Sequence, residues 1–405
     1  MTSAVNGAPS SAELACDRTY GKSMEPSALD IQKSGKLVER QEKVPALLIE
    51  QGTCSVSLAY DVAQAIDLDE TERRVQAAKQ RDQIRHQRRA PRYFEYRPQP
   101  LRVSQAVSPF ELGPFRSHSA VDLVLYDFGA VSVTYTMPLA GPLADLLALS
   151  EELYDNAALL EDSRGRVAAL CQVIGPAAVK ASIAEFVEDY VIYQIERFTP
   201  RVSVGELITV HAQEIAGILR AERSALSAEE VADAVSVRVS YGLQDLAVVD
   251  WNAALLLDRQ GDDVRAVLEF ANVELLEMRY LDDRLDRALD QSYESLSAKS
   301  WKPARLLGRH SRELRRISEF QVDSAVLFEQ VNNTLKLLGD QYLARVYHMV
   351  CQRFHIGEWD SSIIRKLQTL ESIYNKIADQ AANRRIEVLE WIIIVLITVE
   401  ILLFL

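Results

Sequence analysis

The stretch that most narrows the possible folds is Ile386 to Leu405, IEVLEWIIIVLITVEILLFL, where twelve of the last fifteen residues are Ile, Leu, Val or Phe. Wound as a helix, about twenty residues rise roughly 30 Å, the thickness of a bilayer's hydrocarbon layer. The aliphatic and Phe side chains favour insertion by about 4 to 7 kcal/mol, against about 2.5 to 3.5 kcal/mol for one carboxylate at mid-membrane. Glu400 lies toward the far end, where that penalty is smaller. The balance predicts a transmembrane helix over 386–405, with Trp391, Ile392, Ile393 and Ile394 at its head and Glu400 within it. A buried helix of a soluble core is the alternative. Arg365, Lys366, Lys376, Arg384 and Arg385 precede the span and no basic residue follows it, which places residues 1–385 on the cytoplasmic side. The reading is a tail anchor. At 100° per residue, Asn383, Glu387, Glu390, Thr398 and Glu400 fall within an arc of about 160°. Such a polar side points to a partner helix or a second copy of the chain.

The rest of the chain reads as a folded body. Its 405 residues are 48% hydrophobic and 25% charged, enough for two or three domains. A net charge of −13 excludes a surface built throughout for nucleic acid. The four cysteines, Cys16, Cys54, Cys171 and Cys351, are widely spaced without a CxxC, so neither a disulfide framework nor a zinc finger is indicated. A reducing compartment follows. Residues 1–44 are polar and aperiodic and read as a disordered extension without a signal peptide.

From residue 45 to 258 the patterns predict a mixed α/β domain, within an overall α+β fold class. Val56, Leu58 and Tyr60 alternate as in a strand, and Asp67 or Asp69 caps a helix running to about Gln87. Gly141-Pro142 opens a helix, Tyr190 to Ile195 reads as a strand, and Val204 to Ala221 as one amphipathic helix. Ser227-Ala-Glu-Glu230 is a capping box, and Val237 to Tyr241 leads back into the sheet. Two segments share the pattern D-L-x-(V/L)-x-D-(F/W)-x-A: Asp122 to Ala130, with Asp127, Phe128 and Gly129, and Asp245 to Ala253, with Asp250 and Trp251. Each predicts a tight β-hairpin, and together they raise an internal duplication against a coincidence of two similar hairpins.

Residues 259–385 lose the strand pattern and predict a long-helix stalk or hairpin with coiled-coil character. One helix ends near Ser297 and a second runs from Pro303 to about Phe354. A loop at 355–359 follows, and Asp360 caps a third that continues into 386–405. The most basic stretch is Arg73 to Arg102, including Arg85, Arg88, Arg89 and Arg92, interrupted by Tyr93, Phe94 and Tyr96. It suits RNA, anionic lipid head groups, or simply a solvated helix face. A second basic run, Lys299 to Arg316, lies between acidic helices able to pair with it.

Catalytic signatures are missing. There is no Walker loop, GxGxxG, HExxH, G-x-S-x-G or EF-hand loop. His348, Cys351 and His355 share one helix stripe, a spacing able to hold zinc or copper and equally common in a helix core. The expectation is no metal, no cofactor and no enzyme.

Tyr126 to Val131, Asp245 to Trp251, Phe270 to Glu277 and the run Arg384-Arg-Ile-Glu-Val-Leu-Glu390-Trp-Ile-Ile-Ile394 resemble the required-for-meiotic-nuclear-division family. That resemblance implies a membrane-anchored, oligomeric protein whose mitochondrial relatives support translation at the inner membrane by tethering ribosomes. It carries over no catalytic residue. Without an Arg-rich transit peptide, a bacterial inner membrane is the expected setting ahead of the mitochondrial one. The sequence therefore predicts a membrane-anchored, non-enzymatic scaffold that forms homo-oligomers and meets ribosome, RNA or anionic lipid through residues 73–102. The competing classes are a metal- or nucleotide-dependent membrane-associated enzyme and an ion-transport-related protein.

Overall fold

Strand β1, Leu48–Asp61, is the axis of the molecule: from Cys54 to Ala63 every residue is buried. The computed structural model describes residues 46–79, 99–297 and 341–404, with positions 318, 322, 324, 325 and 328. All belong to one compact unit, Pro45–Leu405. In chain order after β1 come β2 (Ala65–Ile66), helix α1 (Leu68–Lys79), β3 (Leu101–Ala106), β4 (Glu111–Leu112), β5 (Phe115–Arg116), β6 (Ala120–Leu125) and β7 (Ala130–Pro142). Helices α2 (Asp145–Leu153) and α3 (Ala157–Ile174) lead through β8 (Ala178–Val179) to β9 (Glu188–Thr199). Then follow α4 (Val204–Val210), α5 (Ala212–Arg220), α6 (Ala228–Ala234), β10 (Arg238–Val239), β11 (Leu246–Val249) and β12 (Ala253–Leu257). The chain closes with α7 (Asp262–Ser297), α8 (Gln341–Arg353) and α9 (Ile356–Phe404).

Eight strands form one sheet in the order β10-β11-β12-β9-β1-β7-β6-β3. Alternation along β1 separates two chemistries. Cys54, Val56, Leu58 and Tyr60 join the core under α2, α3 and α5. Ser55, Ser57 and Ala59 face the other way, where Arg265 of α7 reaches Ser55 Oγ at 3.5 Å and Ser57 shares a 2.7 Å hydrogen bond with Ser132 of β7. Tyr190 and Ile192 of β9 pack on that second side with Val346, Val350 and Phe354. The result is a three-layer α/β/α arrangement, the architecture that a sheet buried on both faces demands. Mixed α/β strands followed by C-terminal helices thus match the sequence reading.

The two hairpins lie in the same sheet at mirrored places, each second from its edge. Their equivalence stops at the centre: β7 runs antiparallel to β1, whereas β12 runs parallel to β9. The three outer strands of each side correspond, and the central pair does not.

Several boundaries differ from the sequence reading for local reasons. Pro142 ends β7, paired with Leu48, and α2 begins only at Asp145. The single helix expected over 204–221 breaks at buried His211, and Ala221 closes α5 in the left-handed conformation. Helix α9 starts at Ile356, so Asp360 sits inside it rather than capping it. Asp67 does cap α1, accepting the Glu70 N–H at 2.9 Å, and Ser227 caps α6 through the Glu230 N–H at 3.2 Å.

The expected membrane span is corrected. No helix among the described residues is long and apolar enough to cross a membrane. Glu390 and Glu400 confine the apolar run of α9 to Trp391–Val399, itself interrupted by Thr398, with Glu387 one turn before it, short of the roughly 20 residues a span needs.

Gly129 shows how tightly the first hairpin is built. It holds φ at +107°, and a Cβ there would stand 1.8 Å from the Ala63 carbonyl oxygen. Gly129→Ala should therefore destabilise the protein by more than about 2 kcal/mol. Gly165 in α3 has no atom within 4 Å of the same construction, so Gly165→Ala should be neutral or stabilise by up to about 1 kcal/mol. Urea unfolding of the two variants checks both.

Candidate functional site

The second hairpin's turn is where the sheet and the C-terminal helices are tied together. Asp250 is wholly buried just after β11, and its carboxylate receives two arginines. Arg220, at the end of α5, donates from Nε to Oδ2 at 2.9 Å; Arg353, at the end of α8, donates from Nε to Oδ1 at 2.9 Å and again from Nη2. Asp233 of α6 bridges the same cations, 2.6 Å from Arg220 and 2.8 Å from Arg353. Glu230 also pairs with Arg220. Hydrogen bonds from Arg353 hold the Asp233 carboxyl below the usual carboxylate range. On the solvent side, half-exposed Trp251 stacks on His355 at 4.9 Å, with the Arg353 guanidinium 5.4 Å from its ring. Every charge in the cluster has a partner, so the arrangement ties α5, α6 and α8 to the second hairpin as a clamp.

Of the sequence-predicted residues, Asp250 and Trp251 belong to this clamp. Asp127, Phe128 and Gly129 make the other turn, where Phe128 is fully buried and stacks on Tyr126 at 5.3 Å. His348, Cys351 and His355 do not converge. His348 contacts Gln352 at 3.2 Å, while His355 lies beyond the end of α8 with Nδ1 2.8 Å from Glu358. Burial pushes the Cys351 thiol up. Among the described residues no three His, Cys, Asp or Glu gather to hold a metal. Arg85, Arg88, Arg89 and Arg92, with most of the basic run 73–102, lie outside the described residues, as does Lys299 to Arg316. Arg220, Asp233 and Arg353 were not singled out from the sequence; they stand far apart in the chain and no local pattern links them.

Helix α7 buries carboxyls against the sheet. Glu274 and Glu277 are essentially inaccessible, and Glu269 nearly so. Burial pushes Glu274 up to about 8, although Tyr347 donates a hydrogen bond to it. Burial also raises Glu277, aided by the Asp61 carboxyl, and raises Asp61 itself to about 7 against the pull of Arg284. Glu188, likewise raised to about 7 by burial, is paired with Arg279.

The third feature is the far part of α9. Near its start Ile363, Leu370, Ile373 and Ile377 are buried against neighbouring helices. From Ile386 to Leu403 the apolar side chains stand exposed on every side, Trp391 at 67% and Leu403 at 79%. Thr398 donates to the Ile394 carbonyl at 2.7 Å, which satisfies its hydroxyl within the helix.

These parts define a three-layer α/β/α body carrying a long helix with an unpartnered apolar end. A family model described as "Uncharacterized protein MJ0711, N-terminal domain" matches residues 51–263, just over half of the 405, and the chain belongs to that family. The match runs from β1 to the first turn of α7. It is a different description from the family that the motifs at 126–131 and 384–394 resemble. A relative, "Uncharacterized protein MJ0711" of Methanocaldococcus jannaschii, is 25% identical over 267 residues, 64% of this chain and 74% of the relative. No solved structure matches.

Two measurements test the site. Arg353→Met leaves Asp250 buried with half of its partners, and should lower the unfolding free energy by about 3–5 kcal/mol. Arg353→Lys should recover little, since an ammonium cannot fork across Asp233 and Asp250. The raised carboxyls fix the sign of a pH dependence. Between about 4.5 and 8 the folded protein holds protons on Glu274, Asp61 and Glu188 that the unfolded chain has lost. Stability should therefore be greatest near the lower end and fall as pH rises toward 8. Glu274→Gln should flatten that decline in urea titrations at pH 5, 6.5 and 8.

Proposed function

We propose that the protein is a membrane-attached, non-enzymatic scaffold. Its α/β/α body is held at the membrane by α9, whose apolar end enters the lipid layer. The observation that carries this reading is the exposure of Ile386 to Leu403 on all sides of one helix. So much apolar surface on a solvated helix costs free energy at about 25 cal/mol per Å², and a lipid phase removes that cost. The glutamates that shorten the apolar run face other copies of the chain. Glu390 and Glu400 lie within about 80° of one another around the helix. An assembly that buries this side leaves Ile, Leu and Val toward lipid. The setting that fits is the cytoplasmic membrane of a prokaryotic cell. The basic segment 73–102 contacts the tethered partner, ribosome or RNA, or the anionic head groups beside the anchor.

Full-length protein should float with liposomes of mixed neutral and anionic lipid, and a chain ending at Asn383 should stay at the bottom of the gradient. Equal flotation of both would overturn the attachment. In detergent, light scattering should give a multiple of 45.5 kDa for the protein component, falling toward that mass in Glu390→Leu/Glu400→Leu. A wild-type monomer would remove the assembly.

A further inference from the structure

β9 and β12 are parallel neighbours, so their carboxyl ends finish side by side, and a cleft of about 850 Å³ opens beyond them. Crevices at the carboxyl ends of parallel strands are where α/β sheets hold ligands, and this volume lies within the range of about 300–1,000 Å³ usual for small-molecule sites. Phe198 and Leu257 supply apolar lining.

The charges around the cleft are not equivalent. Arg197 is engaged, its Nε 3.0 Å from Glu50. The Asp245 carboxylate accepts backbone N–H groups from Tyr241 at 2.6 Å and Gly242 at 2.5 Å, shaping its own loop. Asp258 does the same for Gln260 at 2.8 Å. Glu196 of β9, half-buried, also lines the cleft, and the cations that remain are Arg201 and Arg259. They enter from separate connections, one after β9 and one after β12, and among the described residues neither has a carboxylate within 4.0 Å. At the rim Leu243 is 95% exposed, a large apolar side chain with no cover of its own.

We propose that this cleft binds a small organic anion. Arg201 and Arg259 hold its carboxylate or phosphate, and its apolar portion lies over Phe198 and Leu257 beneath Leu243. Guanidinium groups suit either head group, since their planar donors match two oxygens at once. Lysines would act as point charges without that geometry. The site stands apart from the apolar end of α9 and does not depend on membrane attachment.

Calorimetric titration of the full-length protein at low ionic strength tests it with three probes: inorganic phosphate, adenosine monophosphate and phenylpyruvate. Saturable binding of one organic anion, tighter than inorganic phosphate, is expected. A preference for the nucleotide assigns a phosphate head group, and a preference for phenylpyruvate assigns a carboxylate. Arg201→Ala/Arg259→Ala should weaken that binding by about a hundredfold, roughly tenfold for each charge-assisted contact. Both arginines are exposed, so the unfolding midpoint should hold. Leu243→Ser, at an equally open position, gives an independent arm and should weaken the organic anion while leaving phosphate unchanged. Absence of saturable binding by all three probes overturns the proposal. So does inorganic phosphate binding as tightly as the organic anions, or affinity unchanged in the double variant.

Discussion

Burial of β1 on both faces is the constraint on which the rest of the structure depends. A strand inside a sheet satisfies its backbone through its neighbours, here β7 on one side and β9 on the other. Its side chains must then be covered twice. The α2–α3–α5 layer does this with aliphatic and aromatic packing, pinned where Tyr60 meets Ser163 at 2.6 Å and Tyr135 donates to Asp162 at 2.6 Å. On the opposite face small residues, Ser55, Ser57, Ala59 and Ser132, admit α7 against the sheet. Close approach of a helix carrying Arg265, Glu269 and Glu277 makes that second interface polar. Both faces carry apolar cores, and the α7 side adds buried hydrogen-bonded and charged groups among them. That difference explains why burial raises Glu274 and Glu277 on α7.

Legibility in the sequence followed the range of the interactions. The strand at 54–60, the two hairpins and the helix over 264–297 rest on periodicity and on turn residues a few positions apart, and they were readable. The caps Asp67 and Ser227 are equally local. Boundaries failed where tertiary contacts decide. His211 is buried and interrupts what amphipathicity alone makes continuous. Pro142 ends a strand because Leu48 pairs with it, and nothing near Pro142 announces that pairing. The clamp was half visible: Asp250 stood out through its resemblance to Asp127, yet the two hairpins use these residues differently. Arg220 and Arg353 come from helices before and after the hairpin, 30 and 103 residues away. The cleft at Arg201 and Arg259 was invisible for the same reason, since only the sheet's one parallel pairing among the described strands brings those connections together.

The apolar end of α9 shows the opposite case, a pattern strong in sequence whose meaning turns on a few residues. Hydropathy sums favour insertion, while Glu390 and Glu400 shorten the continuous run. Both statements are true of the same helix. Their reconciliation lies in where the carboxylates face, because a glutamate against another protein helix carries a smaller penalty than one against lipid. In the proposed reading, anchoring and assembly become one property, and a change to either glutamate acts on both.

Continuity of α9 has a mechanical consequence. Its 49 residues form one unbroken rod, about 70 Å long at the α-helical rise. Among the described residues its last buried side chain is Ile377, with about 40 Å of helix beyond it. A tilt of about 10° at Ile377 swings the tip by about 7 Å. Small repacking around Trp359 and Leu367, where the rod meets α7, is thereby magnified at the far end. The rod is thus a lever: motion at either end is carried along its length to the other.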